Sequence, residues 1–321
     1  MKIQQVESIG NLVAHGYTEF GGYINTKRVL PHIMDGLKPS YRRAIFSTYE
    51  IDPGFSSTHE VLGYMSKFHP HSTDGTEDVM SNLCRYGILQ GKGNHGRKDI
   101  LGVHDNHAAP RYTKIKVPDS FKRLIDPVIS LVPHSESEVN PKYKEPDYLP
   151  VPIPLSLTFD RLSGLGIGVS TVYPTFSMKS LLDAYLANDP NLLEYREPGL
   201  KINKSESNLQ GLWDKGYGHV VYEYDVKKFT RDVMVTGNPS RFPISLGGTS
   251  NKDDIYFDQL LSESKVLIEN LSDKNNPGLL RVSLAPGVRV DMDWLYEYLL
   301  KKARHRETYY IRVTDGSKVY S

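Results

Sequence analysis

Cysteine is almost absent. Cys84 stands alone among 321 residues, which excludes an intrachain disulfide framework and fits a reducing compartment. No run of about 20 apolar residues occurs, so no membrane-spanning helix is expected. The opening Met1-Lys2-Ile3-Gln4-Gln5 has none of the apolar stretch of a secretory signal. These absences point to a cytoplasmic protein. Charge of one sign is also not in surplus. The net charge is +1, so the chain is no polycation, and any nucleic-acid site must arise from local clustering. No repeat or low-complexity tract is visible. Hydrophobic residues at 39% and charged residues at 24% give a balance that can bury a core. At roughly 150 residues per domain, the length suggests two domains.

Local clustering is present. Between Gly91 and Lys116 lie Lys92, Arg97, Lys98, Arg111, Lys114 and Lys116, against only Asp99 and Asp105. Five of the eleven histidines, His69, His71, His95, His104 and His107, fall between positions 69 and 107. A second basic run, Lys301-Lys302-Ala303-Arg304-His305-Arg306, lies near the C-terminus.

The apolar periodicity predicts a helix over 8–26 and a sharper one starting at Pro39, a residue suited to the first helical turn. In the latter, Tyr41, Ala44, Ile45, Thr48 and Tyr49 form the core-facing stripe and leave Arg42 and Arg43 at its flanks. A short helix over 59–67 and a third, capped by Ser72 and running to about Tyr86, follow. Three helices, a basic Gly-rich loop and a β-like run over Tyr112–Val117 suggest a helix-turn-helix with a wing. Pro133–Pro154 reads as a connection. Beyond it, His219–Val226 alternates, with Val220, Tyr222, Tyr224 and Val226 on one face. Asp232–Thr236 and Leu279–Leu284 read as strands and Met292–Arg304 as a helix. The expected class is α+β with a mainly antiparallel sheet.

Arg111-Tyr112 is the pair with chemistry in it. A tyrosine oxygen can hold phosphodiester energy as a phosphotyrosine, and an arginine can stabilise the charge that develops on phosphorus. In an extended segment these neighbours point to opposite faces, so a bend or a second chain must bring them to one phosphate. With 21 tyrosines in the chain, this pair alone says little.

Its surroundings say more. The run Arg28-Val29-Leu30-Pro31-His32-Ile33-Met34-Asp35-Gly36-Leu37-Lys38-Pro39-Ser40-Tyr41-Arg42-Arg43 closely resembles the R-x-LP-x-x-x-DGLKP-x-x-RR signature of type IIA topoisomerases, in the gyrase A and topoisomerase IV breakage-rejoining subunit. Lys67-Phe68-His69-Pro70-His71 looks like the family's K-Y-HPH element, and Gly91-Lys92-Gly93-Asn94-His95-Gly96 is similar to G-Q-GN-F-G. Ala108-Ala109-Pro110-Arg111-Tyr112-Thr113 resembles A-A-x-RYT, and Ser163–Val169 is similar to the SGIAVGM loop. The five elements keep the family's order across about residues 20–185. The match is loose enough to suggest a diverged version, with phage-encoded subunits as one option.

The resemblance implies that Tyr112 is the nucleophile, Arg111 its charge stabiliser and Arg28 an assistant from the same or a partner protomer. It implies DNA contacts from Lys38, Arg42, Arg43, Lys67, His69, His71 and Asn94. Leu165 stands where the family places an apolar wedge between base pairs, and an unstacked step makes a kink easier. The implied layout is an N-terminal helical arm over 1–27, a winged-helix domain with the tyrosine over 28–135, and a tower-like domain over 136–321. Implied partners are double-stranded DNA, a second copy of the chain and a gyrase B-like ATPase/Toprim subunit. That subunit would hold the magnesium and use the ATP, because no glycine-rich ATP motif is visible here. The family continues into a coiled coil and a dimer gate. No sustained heptads occur before Ser321, so a weak dimer without DNA is expected.

Departures exist. Ser72-Thr73-Asp74-Gly75 replaces the usual Gly-Asp-Ser, Tyr41 a histidine and His95 an aromatic. Competing readings are a non-catalytic winged-helix DNA binder, a tyrosine recombinase whose residue layout is missing, and a zinc site from His69, His71, His104, His107, Asp99, Asp105 and Cys84. Asp291-Met292-Asp293 looks like a Toprim D-x-D but lacks its context, so Asp293 is expected to cap the following helix.

Overall fold

A computed structural model describes residues 8–51, 54–70, 74–96, 106–160, 162–196, 200–237, 251–272 and 278–321. The first half is helical. Helix α1 (Ile9–Ile24) opens on Ser8, whose side chain accepts from the Asn11 N–H, and passes into a π-helical turn over Asn25–Val29. Helix α2 (Pro39–Ile51) starts at the expected proline and buries Tyr41, Ala44, Ile45 and Thr48. Strand β1 (Ser56–Ser57), helix α3 (Thr58–Met65), helix α4 (Asp74–Arg85), strand β2 (Gln90–Lys92) and strand β3 (Lys114–Lys116) follow. The expected cap of α4, Ser72, lies outside the described residues. The three strands form a small antiparallel sheet in the order β1-β3-β2, with Ser56 opposite Ile115 and Lys92 opposite Lys114.

Two features depart from the linear pattern. Arg42 and Arg43 are buried rather than flanking, because each meets a carboxylate from outside the helix. The expected strand over Tyr112–Val117 begins instead as a 3-10 turn over Pro110–Tyr112, where the proline presets a bent backbone.

The stretch 133–154 is more than a connection. After helix α5 (Asp119–Ile125) it forms a hairpin of β4 (His134–Glu136) and β5 (Lys144–Pro146), then buries Leu149 and Ile153. The first core joins α2, α3 and α4 to Leu149, Leu155, Phe159 and Tyr173.

A second hairpin, β6 (Ser163–Leu165) with β7 (Ser170–Val172), leads through helix α6 (Met178–Ala187), strand β8 (Leu200–Ile202) and helix α7 (Leu209–Lys215) into the long strand β9 (Tyr217–Lys228). Val220, Tyr222 and Tyr224 are buried, as their alternation predicts. Then come β10 (Asp232–Thr236), helix α8 (Lys252–Ser262), β11 (Val266–Asn270), β12 (Leu279–Leu284), helix α9 (Met292–Lys302), β13 (Arg304–Tyr310), β14 (Val313–Thr314) and β15 (Val319–Tyr320). The large sheet runs β11-β12-β10-β9-β13-β7-β6, with β8 also on β9, and its pairings are antiparallel. The class is α+β. Helices α8 and α9 pack on this sheet through Phe257, Leu260, Leu295 and Leu299. The cap of α9 is Asp291 rather than Asp293: the helix starts one residue after Asp291, whose carboxylate accepts from the Asp293 N–H at 2.9 Å.

No helix among the described residues is long and apolar enough to cross a membrane.

Candidate active site

Tyr112 closes the 3-10 turn, 68% exposed. The turn supplies the bend that an extended backbone lacks. It brings the Arg111 guanidinium over the Tyr112 ring, 4.7 Å from its centre, so cation and phenol share one surface. The turn is firmly anchored. Thr113 Oγ1 donates to Thr58 Oγ1 at 2.8 Å, and the Thr58 N–H donates to the Thr113 carbonyl at 3.0 Å, which ties the tyrosine to the start of α3. Gly93 passes beneath with φ +94°, and a Cβ there would lie 2.9 Å from the Tyr112 carbonyl. Only glycine fits that backbone comfortably.

Asn94 braces the same loop. Its carbonyl accepts from the Ala108 N–H at 2.9 Å and its Oδ1 from the Gly96 N–H at 2.8 Å. Lys92 and Lys116 stand over the Phe55 ring at 4.2 and 5.5 Å. Phe55 went unnoticed in the sequence, since a lone phenylalanine carries no signal.

A second basic surface is a cleft of about 550 Å³ lined by Lys27, Arg28, Lys38, Ser40, Arg43 and His69. Arg28 is exposed on the π-turn, and its guanidinium makes no hydrogen bond or ion pair with a described residue. Lys38 donates to the Ser163 carbonyl at 2.6 Å, and burial pushes its amine below its ordinary range. Arg43 is held bidentately by Glu145, both bonds 2.7 Å, with its third nitrogen 3.5 Å from His69 Nδ1. Arg42 is bound at 2.8 Å to Asp35, which is fully buried. Two of the expected DNA cations are therefore already neutralised within the fold, and of the pair only Arg43 lines this cleft. The signal for their partners was absent, because Glu145 sits 102 residues away in what reads as a linker. Lys67 lies 3.7 Å from the Tyr64 ring centre and 5.1 Å from that of Tyr143. His71 lies outside the described residues. Tyr112 does not line this cleft, so the structure does not bring Arg28 and Tyr112 to one pocket within a single chain.

Leu165, 85% exposed, ends β6 at the tip of its hairpin.

Among the described residues no three His, Cys, Asp or Glu side chains form a metal cluster. Of the histidines considered for zinc, His107 pairs with Asp78 at 3.2 Å, and burial pushes the Cys84 thiol up to about 12, which disfavours the thiolate a metal needs. Asp99, His104 and Asp105 lie outside the described residues. Asp293 pairs with Lys228 and Asp291 caps α9, so both members of the D-x-D already have partners.

The model of a family described as the A subunit of DNA gyrase/topoisomerase IV matches residues 28–313. The chain is similar to a DNA gyrase A subunit of Borreliella burgdorferi, 26% identical across 88% of this chain and 37% of the relative. It is also similar to a gyrase A subunit of Mycoplasma genitalium, 30% identical over 54% of this chain and 22% of the relative. A third match is the A subunit of a DNA topoisomerase 4 of Haemophilus influenzae, 22% identical over 92% of this chain and 42% of the relative. The chain thus spans less than half the length of these curated relatives.

Proposed function

Because the chain belongs to the family of DNA gyrase/topoisomerase IV A subunits, we propose that it is the DNA cleavage and religation part of a type IIA topoisomerase, with Tyr112 as nucleophile. The observation that carries this reading is an exposed phenol on a braced turn with a guanidinium against it. The Tyr112 oxygen attacks a backbone phosphorus. A P–O bond forms to the tyrosine as the bond to the 3′ oxygen breaks. The phenol proton departs, and the released 3′ oxygen takes one up. Religation is the reverse, with the 3′ oxygen attacking the phosphotyrosine. No hydrolysis intervenes, so the bond energy is kept. Arg111 stabilises the charge on the phosphoryl oxygens. Arg28 would reach the phosphate from the same protomer or from the partner protomer of a two-fold dimer.

In this reading α2, α3, α4 and the small sheet are a winged-helix domain, and the large sheet belongs to a tower-like domain. Lys38, Arg43, Lys67, His69, His71 and Asn94 would face DNA, while Arg42 would act indirectly by holding the Asp35 turn. Magnesium and ATP would belong to a gyrase B-like partner, the magnesium supplying charge neutralisation at the phosphate. The setting would be the bacterial or phage-infected cytoplasm.

The test uses the chain together with an ATPase/Toprim partner, plasmid DNA and denaturant trapping of adducts. Tyr112→Phe is expected to abolish the covalent protein–DNA species and leave DNA affinity unchanged. The adducts should map to 5′ phosphates, staggered on opposite strands. Adducts that persist in Tyr112→Phe would overturn the assignment and favour a DNA-binding module.

A further inference from the structure

The base of the hairpin that displays Leu165 is held by Lys38 and by the pairing of β7 with β13, and its tip is held by the side chain of Asn25. Asn25 is only 9% exposed and begins the π-turn that ends with Arg28 and Val29. Its Nδ2 donates to the Ile167 carbonyl at 2.8 Å, and its Oδ1 accepts from the Ile167 N–H at 3.0 Å. The carboxamide thus pairs with both backbone groups of one residue, as a neighbouring strand would, beside β6, which is an edge strand of the large sheet among the described residues.

The glycines show how closely the two segments approach. A Cβ on Gly166 would lie 2.1 Å from Asn25 Oδ1, and one on Gly164 2.9 Å from the Val29 carbonyl. From the other side, a Cβ on Gly21 of α1 would lie 3.1 Å from Ile167 Cγ2. The hairpin closes on itself through the Gly166 N–H and the Val169 carbonyl at 2.8 Å, and Lys38 grips its base at Ser163. Leu165 is therefore a large apolar side chain held out in solvent on a rigid mount.

We propose that Asn25 is the positioning residue for the Leu165 wedge: by pairing with the backbone of Ile167 it locks the hairpin tip to the turn that carries Arg28. This rests on the reading of Leu165 as a residue that enters DNA. A wedge must push against the stiffness of the duplex, and a tip free to swing would yield before the base step opened. The same carboxamide fixes the distance between wedge and Arg28, so the bend and the phosphate contact share one reference point. None of the five family-like elements contains Asn25. A polar residue in the polar run Asn25-Thr26-Lys27-Arg28 gives no hint of a partner 142 residues away.

The experiment measures bending by energy transfer between the two ends of a labelled duplex, with the full chain and its ATPase/Toprim partner bound. Wild type, Leu165→Ala, Asn25→Ala and the double variant are compared, and DNA affinity is read in parallel. Asn25→Ala is expected to lose as much bend-dependent transfer as Leu165→Ala, with affinity changed far less than bending. The double variant should lose no more than Leu165→Ala alone. A purely structural role would lower affinity and thermal stability together without this split. If Asn25→Ala proves unstable, Asn25→Asp keeps the shape and the acceptor but removes the donor, and an intermediate loss of bending is expected. A folded Asn25→Ala or Asn25→Asp protein that bends DNA like wild type, while Leu165→Ala does not, overturns the role of Asn25 alone. Unchanged bending in Leu165→Ala overturns the wedge reading and the proposal with it.

Discussion

Asp35 sets the geometry at the start of α2. Its carboxylate accepts from Arg42 Nε at 2.8 Å and from the N–H groups of Leu37 at 2.8 Å and Leu149 at 2.9 Å. It thereby joins the turn before α2 to the chain after β5. Removing it leaves Arg42 as a buried charge whose remaining hydrogen bond among the described residues is to the Leu37 carbonyl, 3.1 Å away. Breaking such a pair costs roughly 3–5 kcal/mol, whereas replacing both members with apolar residues costs far less. Asp35→Ala is expected to lower the unfolding free energy from urea titration by an amount in that range, and Asp35→Leu with Arg42→Met to recover part of it. Equal losses would mean that the ion pair is not what matters. At this scale the sequence was a partial guide. Tyr112 and Arg111 stand exposed at one turn, where the proposed chemistry would need them. Arg42 and Arg43 look like free cations in the linear chain and are not. What pairs them, Asp35 and Glu145, comes from packing, and periodicity carries no information about it.

At the scale of elements, β9 was legible from its alternation and α2 from its opening proline and apolar stripe, although α2 is buried along 41–48 and not on one face alone. The β4–β5 hairpin was not, since His134–Glu136 and Lys144–Pro146 are three residues each and carry no apolar alternation. A strand made of such residues is defined by its partner, not by its own pattern. The small sheet beside Tyr112 has its own sensitivity to acid. His95 is 8% exposed and lies under Gly91 of β2, where a Cβ would meet its Nε2 at 2.6 Å. Cys84 of α4 borders the same space, and Arg85 donates to the His95 carbonyl at 3.0 Å. Burial lowers the His95 pKa, opposed by the Lys114 and Lys92 carbonyls, and His107 and Arg85 add a repulsive push in the same direction as burial. The unfolded chain then takes up the proton more readily than the folded one. Stability from this group is thus complete above the ordinary histidine value of about 6.5 and is lost as pH falls below it, through the depressed folded value. Denaturant unfolding between neutral and mildly acidic pH should therefore show a shallower acid loss in His95→Phe than in wild type. His32 shifts in the same direction, again mainly by burial, so some of the loss should remain. Parallel pH profiles in the two proteins would place the acid sensitivity elsewhere.

At the scale of the whole molecule, the net charge of +1 conceals a division of labour between two basic regions. Near the C-terminus, Lys302 is bound to Asp254 at 2.6 Å, and Arg304 is paired with Glu206 and, at 3.3 Å, with Glu223. Those cations hold α9 and β13 to their neighbours and have little charge left to offer a polyanion. Around the cleft, Lys27 and Arg28 are exposed and keep their cationic ends free of ion pairs among the described residues. Composition cannot distinguish the two regions, because it does not say which cations are already paired. Salt can. Each phosphate neutralised by a protein cation contributes about −0.9 to the slope of log affinity against log salt on duplex DNA. Arg28→Ala and Lys27→Ala should each make that slope shallower by about 0.9 if they touch phosphates. Arg304→Ala should leave the slope where it is, although it removes the same formal charge. The comparison is made by fluorescence anisotropy on one duplex across a range of salt, with the ATPase/Toprim partner present throughout. A change in slope for Arg304→Ala as large as that for Arg28→Ala would move the DNA path onto the large sheet and away from the cleft.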